Sequence, residues 1–306
     1  MLLHILKKFS KKSDFGLIID WKFHKNNGWC VALTPYLINS ILKEFNPIII
    51  NNQDEYNKNK DKLKYLISVE PGWAAPVIKY DTSIVCKKAV FYSDPHLHTE
   101  ERKRFFFDND FDYIFSYYKS PFFYHMKDFP KDKFIHMPWA IPDQFINNNK
   151  IKIRNKEIII FGGKGSDAYD VRNWCREQKG IKNYNFSGVE NKQLIGKKYF
   201  DWLSKFDAIV AAGSSDPKYD LVTPKYFEIA SSGALLFAQY CKDLEDLGFN
   251  NSNCIIFTKN NFIEKIREYK KDPKKFIHIR EAGRNLIKEK HKISDRIKLI
   301  RKIMFQ

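Results

Sequence analysis

The segment DLVTPKYFEIASSGALLFAQ, residues 220–239, carries two acids, Asp220 and Glu228, with Lys225 between them. A helix that begins near Thr223 would present free backbone N–H groups and a positive dipole end, which bind anions. Lys225 would add positive charge beside a diphosphate, and Glu228 could accept two hydrogen bonds from a ribose. Asp220 would face the other end of the ligand. The pattern predicts a clamp for a nucleoside diphosphate, and the alternative is a capped helix with an exposed acid.

A second candidate phosphate site lies in IIIFGGKGSDAYDVRNW, residues 158–174. Glycines, Gly163 among them, end an apolar strand there and allow the backbone to approach a ligand closely. Lys164 and Arg172 could neutralise a pyrophosphate. The spacing is not G-x-G-x-x-G, and glycines alone are a weak signal. Arg172 could instead cap or pair on a helix surface.

Acid–base chemistry is predicted for FYSDPHLH, residues 91–98. Asp94 follows an apolar strand, and the carboxyl ends of such strands face the ligand cleft in a doubly wound sheet. Asp94 or His96 could deprotonate or orient an acceptor hydroxyl. His96 and His98 have strand-like spacing, but two histidines without a third ligand make a poor zinc site. No metal site is therefore predicted.

Two further candidates lie in SVEPGWAAP, residues 68–76. Glu70 stands at the end of a predicted strand, and Trp73 could stack on a sugar ring. Both are expected to contact an acceptor. A buried tryptophan with a purely structural role is the alternative for Trp73.

Alternating strands and helices are the elements that must position these residues. The first half predicts an amphipathic helix in VALTPYLINSILKEF and strands in GLIIDW, NPIIINN, KLKYLISVE, KKAVFYSD, FDYIFSYY and DKFIHMPWA. The second half predicts helices in DVRNWCREQ and TPKYFEIASSG, at 260–271 and at 273–290, and strands in EIIIFGG, KFDAIVAAGSS, ALLFAQ and NCIIFT. Such alternation indicates an α/β protein with parallel sheets covered on both faces.

The polar segment 146–156 divides the chain into two similar halves. We expect two Rossmann-like, doubly wound domains, 1–148 and 149–306, that face a central cleft where ligands bind. A last helix at 294–306 is expected to pack back on the N-terminal domain.

The composition restricts the partners and the compartment. A net charge of +17 favours phosphorylated or polyanionic partners, or peripheral contact with a negative membrane surface, although a solvated basic surface is the alternative. The five scattered cysteines form no C-x-x-C pair and fit a reducing compartment. No apolar run approaches the roughly 18 residues of a spanning helix. We expect a cytoplasmic protein.

The second half of the chain resembles GT-B glycosyltransferases, in particular the group 1 and the spore-maturation-type families. Those families show an acid, seven residues, a glutamate, a small-residue stretch and an apolar strand, which here correspond to Asp220, Glu228 and ASSGALLFA. The closing helices, with AGR, His291 and Arg296, are also similar, and VFYSDPH and FDYIFSYYKS resemble N-terminal strands of the family more weakly. The chain departs from the family at LVTP, which replaces a glycine-rich interval, and at Asp220, which replaces a glutamate.

The resemblance implies transfer of a sugar from a nucleotide-sugar donor, UDP- or GDP-linked, to a hydroxyl acceptor such as a glycan, a lipid-linked glycan or a protein glycan. It implies no cofactor, metal-independent chemistry and retention of the anomeric configuration. The implied donor-binding residues are Gly163, Lys164, Arg172, Thr223, Lys225, Tyr226 and Glu228. The resemblance adds Asp220 to Asp94 and His96 as predicted catalytic residues, and Glu70 and Trp73 are expected to bind the acceptor.

Two other functions are compatible with the sequence. The basic composition suits a nucleic-acid-binding protein or a glycosyltransferase that acts on DNA, although no nucleic-acid-binding motif is present and no specific nucleic acid is expected. A nucleotide-sugar epimerase on the same fold would need no acceptor. Steep salt dependence of binding to generic DNA would favour the first alternative.

Overall fold

The computed structural model describes residues 13–29, 31–184 and 194–306. Its strands form two sheets in which every described pairing is parallel. The first sheet has the order β2-β1-β3-β4-β5-β6, with β1 Phe15–Ile18, β2 Ile48–Ile50, β3 Tyr65–Val69, β4 Lys87–Tyr92, β5 Tyr113–Ser116 and β6 Phe134–His136. The second has the order β11-β10-β9-β7-β8, with β7 Ile158–Phe161, β8 Ile181–Tyr184, β9 Ala208–Ala211, β10 Leu235–Gln239 and β11 Ile255–Phe257.

Both sheets begin with the same topology. In each, the first strand in sequence pairs with the second on one side and with the third on the other, so the strand order reverses at the first strand. Ligands of open α/β sheets bind outside the carboxyl ends of the strands at this reversal. Strands β1 and β7 are buried along their whole length, as expected for sheets covered on both faces. The predicted GT-B architecture is confirmed.

Helices cover both sheets. In the first domain they are α1 Trp21–Lys25, α2 Thr34–Phe45, α3 Gln53–Asn59, α4 Thr99–Asp108 and α5 Ser120–His125. Those of the second are α6 Asp170–Arg176, α7 Lys197–Leu203, α8 Pro224–Ser232, α9 Phe262–Lys271, α10 Ile277–Lys290 and α11 Ile293–Phe305. Within the described ranges, no helix is long and apolar enough to cross a membrane.

One predicted helix begins later than expected. Pro273 starts a 3₁₀ turn, Pro273–Phe276, and α10 follows only from Ile277. The carboxylate of Asp272 accepts a hydrogen bond from Lys274 N at 3.2 Å, which holds the tighter turn. The prediction of α-helix from 273 is wrong for this first turn, although proline does occupy the start of the helical segment.

The last helix, α11, packs on the N-terminal domain. The ring of Phe305 lies 5.3 Å from that of Phe45 and 4.4 Å from that of Tyr65. Arg301 forms an ion pair with Glu44 on α2. The chain therefore returns to its first domain after completing the second.

Arg296 ties α11 to the segment that leaves β6. Its guanidinium donates to the carbonyl of Pro138 at 2.7 Å and to that of Trp139 at 3.1 Å. It also lies 2.8 Å from Nδ1 of His291. A buried guanidinium needs hydrogen-bond acceptors, and here the backbone carbonyls that follow β6 supply them.

A carboxylate of the second domain caps a helix of the first. Asp243, which is buried, accepts hydrogen bonds from the backbone N–H groups of Lys119 at 3.0 Å and Ser120 at 2.9 Å, where α5 begins. Asp246 forms an ion pair with the Lys119 ammonium at 2.6 Å. The free N–H groups and the dipole of α5 are thus satisfied from across the domain boundary.

We predict that Asp243→Ala lowers the free energy of unfolding by about 2 kcal/mol, because it removes a helix cap and leaves partly buried N–H groups without their acceptor. Asp246→Ala is the matched control, since its exposed ion pair contributes only about 0–1 kcal/mol. Chemical denaturation of both variants measures the difference. Equal losses in the two variants would show that the Asp243 cap does not hold the domains together.

Candidate functional site

The carboxyl end of β7 turns through a glycine that a lysine approaches closely. Gly162 has a φ of 111°, which favours glycine, and a Cβ at this position would lie 2.5 Å from Nζ of Lys225. The same ammonium lies 5.2 Å from the centre of the Phe161 ring. Any larger residue at 162 would displace Lys225 from this turn.

Two arginines of α6 point at the same turn. Arg172, which is buried, donates from Nε to the carbonyl of Ala212 at 2.8 Å and from Nη1 to that of Gly163 at 3.3 Å. Arg176 donates to the carbonyl of Gly162. Arg172 is therefore held inside the domain, and it is not an exposed side chain on a helix surface.

Glu228 lies close to these cations and is itself buried. Its Oε2 accepts a hydrogen bond from the hydroxyl of Tyr199 on α7 at 2.8 Å. Burial raises the pKa of Glu228 to about 7, and the Tyr199 hydrogen bond and Lys225 oppose the rise. Burial also lowers the pKa of Lys225 to about 7, assisted by Arg172 and Arg176 and opposed by Glu228.

The start of α8 differs from its prediction. Thr223 occupies the N-cap position with extended backbone, but its side chain accepts no hydrogen bond from the helix. Within the described residues its Oγ1 is buried without a hydrogen-bond partner. Pro224, the next residue, has no N–H to offer an anion. Binding of phosphate at this end would therefore depend on the cations beside it more than on the first N–H group.

Two other predicted site residues, Asp220 and Tyr226, are hydrogen-bonded to groups other than Glu228. The hydroxyl of Tyr226 donates to the carbonyl of Gln239 at 3.1 Å, so this side chain packs in the core over β10. The carboxylate of Asp220 accepts from Lys242 N at 2.9 Å, and burial raises its pKa. Among the described residues, neither Asp220 nor Tyr226 forms a hydrogen bond with Lys225 or Glu228, although Tyr226 interacts electrostatically with Arg172.

Lys164 and Gly163 lie in an exposed loop after β7. The backbone carbonyl of Lys164 accepts a hydrogen bond from Asn173 at 3.0 Å, which fixes the loop against α6. Gly163 and Lys164 directly follow Gly162, at the turn that Arg172 and Arg176 contact.

The first domain contains a cavity of about 710 Å³ at the carboxyl ends of its strands. Three predicted residues, Glu70, Trp73 and Asp94, line it together. Arg102 of α4 lines it as well, and its guanidinium lies 3.6 Å from Glu70. Cavities of this size hold small-molecule ligands.

Glu70 has unusual backbone and electrostatic surroundings. Its φ is 54°, in the left-handed region that non-glycine residues seldom adopt. Burial raises its pKa to about 7, although Arg102 opposes the shift. Burial also raises the pKa of Asp94, opposed by His96 and Arg102. The pKa values of two carboxyls that share one cavity are therefore both raised by burial.

Trp73 is not a buried structural residue, since 48% of it is exposed. Its ring contacts those of Trp29 at 5.8 Å and Phe23 at 5.5 Å edge-to-face, which fixes it at the mouth of the cavity. A face of the indole remains accessible for stacking.

His96 lies at the boundary between the domains, outside the lining of the cavity. Its ring packs edge-to-face on Tyr219 at 5.0 Å and lies 6.3 Å from His125. His98 forms a pair with Glu101 at 3.1 Å. Across the part of the chain that the structure describes, no group of three or more His, Cys, Asp or Glu side chains is arranged to hold a metal ion.

Several residues at these two sites were not predicted from the sequence. Arg176 follows Arg172 by four positions, and this helical spacing could have indicated that both lie on one face. Tyr199 and Arg102 reach the two sites through tertiary packing, and no local pattern marks them. Trp139 lines the cavity through its stacking on Tyr117, with ring centres 3.7 Å apart.

Solved structures with the same fold are distant in sequence. HepE from Anabaena is 7% identical, with 87% of this chain and 88% of HepE covered and a TM-score of 0.61. A glycosyltransferase from Rickettsia africae is 11% identical, with 97% and 98% covered and a TM-score of 0.55. TarM from S. aureus is 11% identical, with 79% and 55% covered and a TM-score of 0.56, so this chain spans about half the length of TarM. Such likeness shows a shared fold.

The family match found by sequence comparison lies in the second half of the chain. None of the curated proteins matches it. Residues 150–302, half of the 306 residues, match the family Glyco_trans_1_2, described as glycosyl transferase-like. The narrower likeness to spore-maturation-type proteins stays a prediction. The match includes the β7 turn, α6 and α8, and the chain therefore belongs to the glycosyl transferase-like family, with the GT-B fold.

Proposed function

We propose that this protein transfers a sugar from a nucleoside-diphosphate sugar to a hydroxyl acceptor. The observation that carries the proposal is the cluster of Lys225, Arg172 and Arg176 around the end of β7, with Glu228 beside it. Burying cations near one another is unfavourable unless an anion compensates them. A diphosphate supplies that charge, and membership of the family supplies the reaction class.

In this reaction the bond between the sugar and the diphosphate breaks, and negative charge develops on the departing phosphate oxygen. Lys225, in its protonated form, would stabilise that charge because it already stands against the glycine turn where a phosphate can approach. The two arginines would add positive charge beside Lys225, and this charge favours binding of an anion at the turn. Their hydrogen bonds to backbone carbonyls also keep the turn rigid.

Glu228 would bind the ribose of the donor. The Tyr199 hydroxyl occupies Oε2, so the carboxylate is held in one orientation and retains acceptor capacity for two hydroxyls. HepE has been solved with UDP-glucose and TarM with UDP, which favours a uridine nucleotide here, with a guanosine nucleotide as the alternative. Lys164 and Gly163, in the bordering loop, would contact the diphosphate, and we assign Thr223 a contact to phosphate or sugar.

The acceptor would occupy the cavity of the first domain. Glu70 and Asp94 could accept hydrogen bonds from its hydroxyls, and Trp73 could stack on its ring. Asp94 would orient the reacting hydroxyl or remove its proton. His96 packs at the domain boundary, and it would act by holding the Asp94 loop against the second domain.

We further propose that the transfer retains the anomeric configuration and needs no metal, as the family resemblance implies. NMR of the product measures the first property, and activity in the presence of a chelator measures the second. An inverted product would assign Asp94 the role of base.

The four cysteines in the described ranges are free thiols, which favours a reducing compartment such as the cytoplasm.

Glu228→Ala is expected to weaken binding of the nucleoside diphosphate at least ten-fold, because charge-assisted hydrogen bonds to the ribose are lost. Glu228→Gln keeps the volume and an acceptor for Tyr199, so a smaller loss is expected. Isothermal titration calorimetry with UDP and GDP measures both variants. Glu281→Ala, an exposed acid on α10, is the matched control. Unchanged nucleotide affinity in Glu228→Ala would contradict the proposed clamp.

Nucleotide affinity is also expected to fall as the pH rises from 7.5 to 9. The free protein has a lowered Lys225 pKa of about 7, and a bound diphosphate favours the protonated amine, so binding takes up a proton above this pH. The expected slope approaches ten-fold per pH unit. Lys225→Met should bind weakly with little dependence on pH, whereas Lys298→Met, an exposed lysine of α11, should behave like the parent protein. A flat profile in the parent protein would refute the role given to Lys225.

A further inference from the structure

The mouth of the first-domain cavity carries an apolar patch, which lies in the same lining as the exposed His98–Glu101 pair. Three exposed apolar residues line it, namely Trp73, Val77 and Leu97, with exposed fractions of 48%, 65% and 43%. Val77 and Leu97 come from different loops, after β3 and after β4, so the patch is assembled by the fold. Val77 lies beside Gly72, whose Cβ position is 3.8 Å from Val77 Cγ2. Clustered exposed apolar residues at a cavity mark a binding surface.

The floor of the same cavity is made of buried groups that can bind hydroxyls. Glu70 is buried at the floor, and among the described residues its Oε2 has no hydrogen-bond partner, because Arg102 lies 3.6 Å away. An unsatisfied carboxyl oxygen on strained backbone indicates a ligand group that completes it. Asp94 and the stacked pair of Tyr117 and Trp139 also line the cavity.

We propose that the acceptor is amphipathic: a hydroxyl-bearing head binds at Glu70 and Asp94, and an attached alkyl chain lies against Trp73, Val77 and Leu97. This inference rests on the proposed function, and it adds the chemical class of the acceptor. One cavity of about 710 Å³ connects the two kinds of lining, and it is larger than a single sugar ring requires. A free sugar could stack on Trp73, but it would leave Val77 and Leu97 in water, whereas an attached alkyl chain would cover them.

The test compares alkyl and methyl glycosides on the full-length protein. The n-octyl and methyl β-glycosides of glucose, galactose and N-acetylglucosamine are titrated below the micelle concentration, with tryptophan fluorescence as the readout. At least one octyl glycoside is expected to bind ten-fold or more tightly than its methyl partner, because each buried methylene strengthens binding by roughly four-fold. No octyl preference, or no binding by any octyl glycoside, would overturn the inference.

The double variant Val77→Ser with Leu97→Ser assigns the effect to the mouth. Both side chains are largely exposed, so the fold should persist, and circular dichroism verifies it. The octyl preference is expected to fall to about three-fold or less in this variant. Val85→Ser is the matched control, since Val85 is 97% exposed and does not line the cavity. Equal loss in the control, or no loss in the double variant, would overturn the inference.

Thermal stabilisation by UDP and GDP, measured on the same preparations, separates the inference from the proposed function. Nucleotide stabilisation without an octyl preference leaves the transferase proposal standing and rejects the amphipathic acceptor. An octyl preference without nucleotide stabilisation rejects both, because the bound glycoside would then not be an acceptor of transfer.

Discussion

The site depends on the burial of positive charge at the carboxyl end of β7. Three cations approach one glycine turn, and the neighbouring carboxylate, Glu228, is itself destabilised by burial. Removing charges from water is unfavourable, and like charges add to the penalty. Two kinds of contact partly offset this penalty. Arg172 and Arg176 donate hydrogen bonds to backbone carbonyls, and the Lys225 ammonium lies over the Phe161 ring. An incoming diphosphate would relieve the remaining imbalance, which gives binding its driving force.

The second domain also shapes the cavity of the first. Arg296 of α11 binds the carbonyls of Pro138 and Trp139, and the indole of Trp139 donates to the hydroxyl of Tyr118 at 3.1 Å. The wall of the first-domain cavity is therefore fixed by the last helix of the chain. Asp243 adds a second connection at α5. These buried polar contacts connect the two domains.

The sequence was sufficient for the fold class, but β8 and α7 were not predicted. Apolar runs and turn residues predict the parallel sheets, because strands buried on both faces leave an unbroken apolar signal. Lys225, Arg172 and Glu228 lie near one another because α6 packs against β7 and α8 packs against β9, which are neighbouring strands. The directions of Asp220 and Tyr226 were not predictable, because they depend on Lys242 and Gln239, which tertiary packing brings near. The role of each residue stays a prediction.

The central claim is that the end of β7 binds the diphosphate of a nucleotide. Thermal unfolding with UDP, GDP, the matching monophosphates and the free nucleosides tests it most directly. A ligand at 100 times its dissociation constant stabilises by about 2.7 kcal/mol. We expect stabilisation that increases from nucleoside to monophosphate to diphosphate for one base. Equal responses to nucleoside and diphosphate, or no response to any nucleotide, would contradict it.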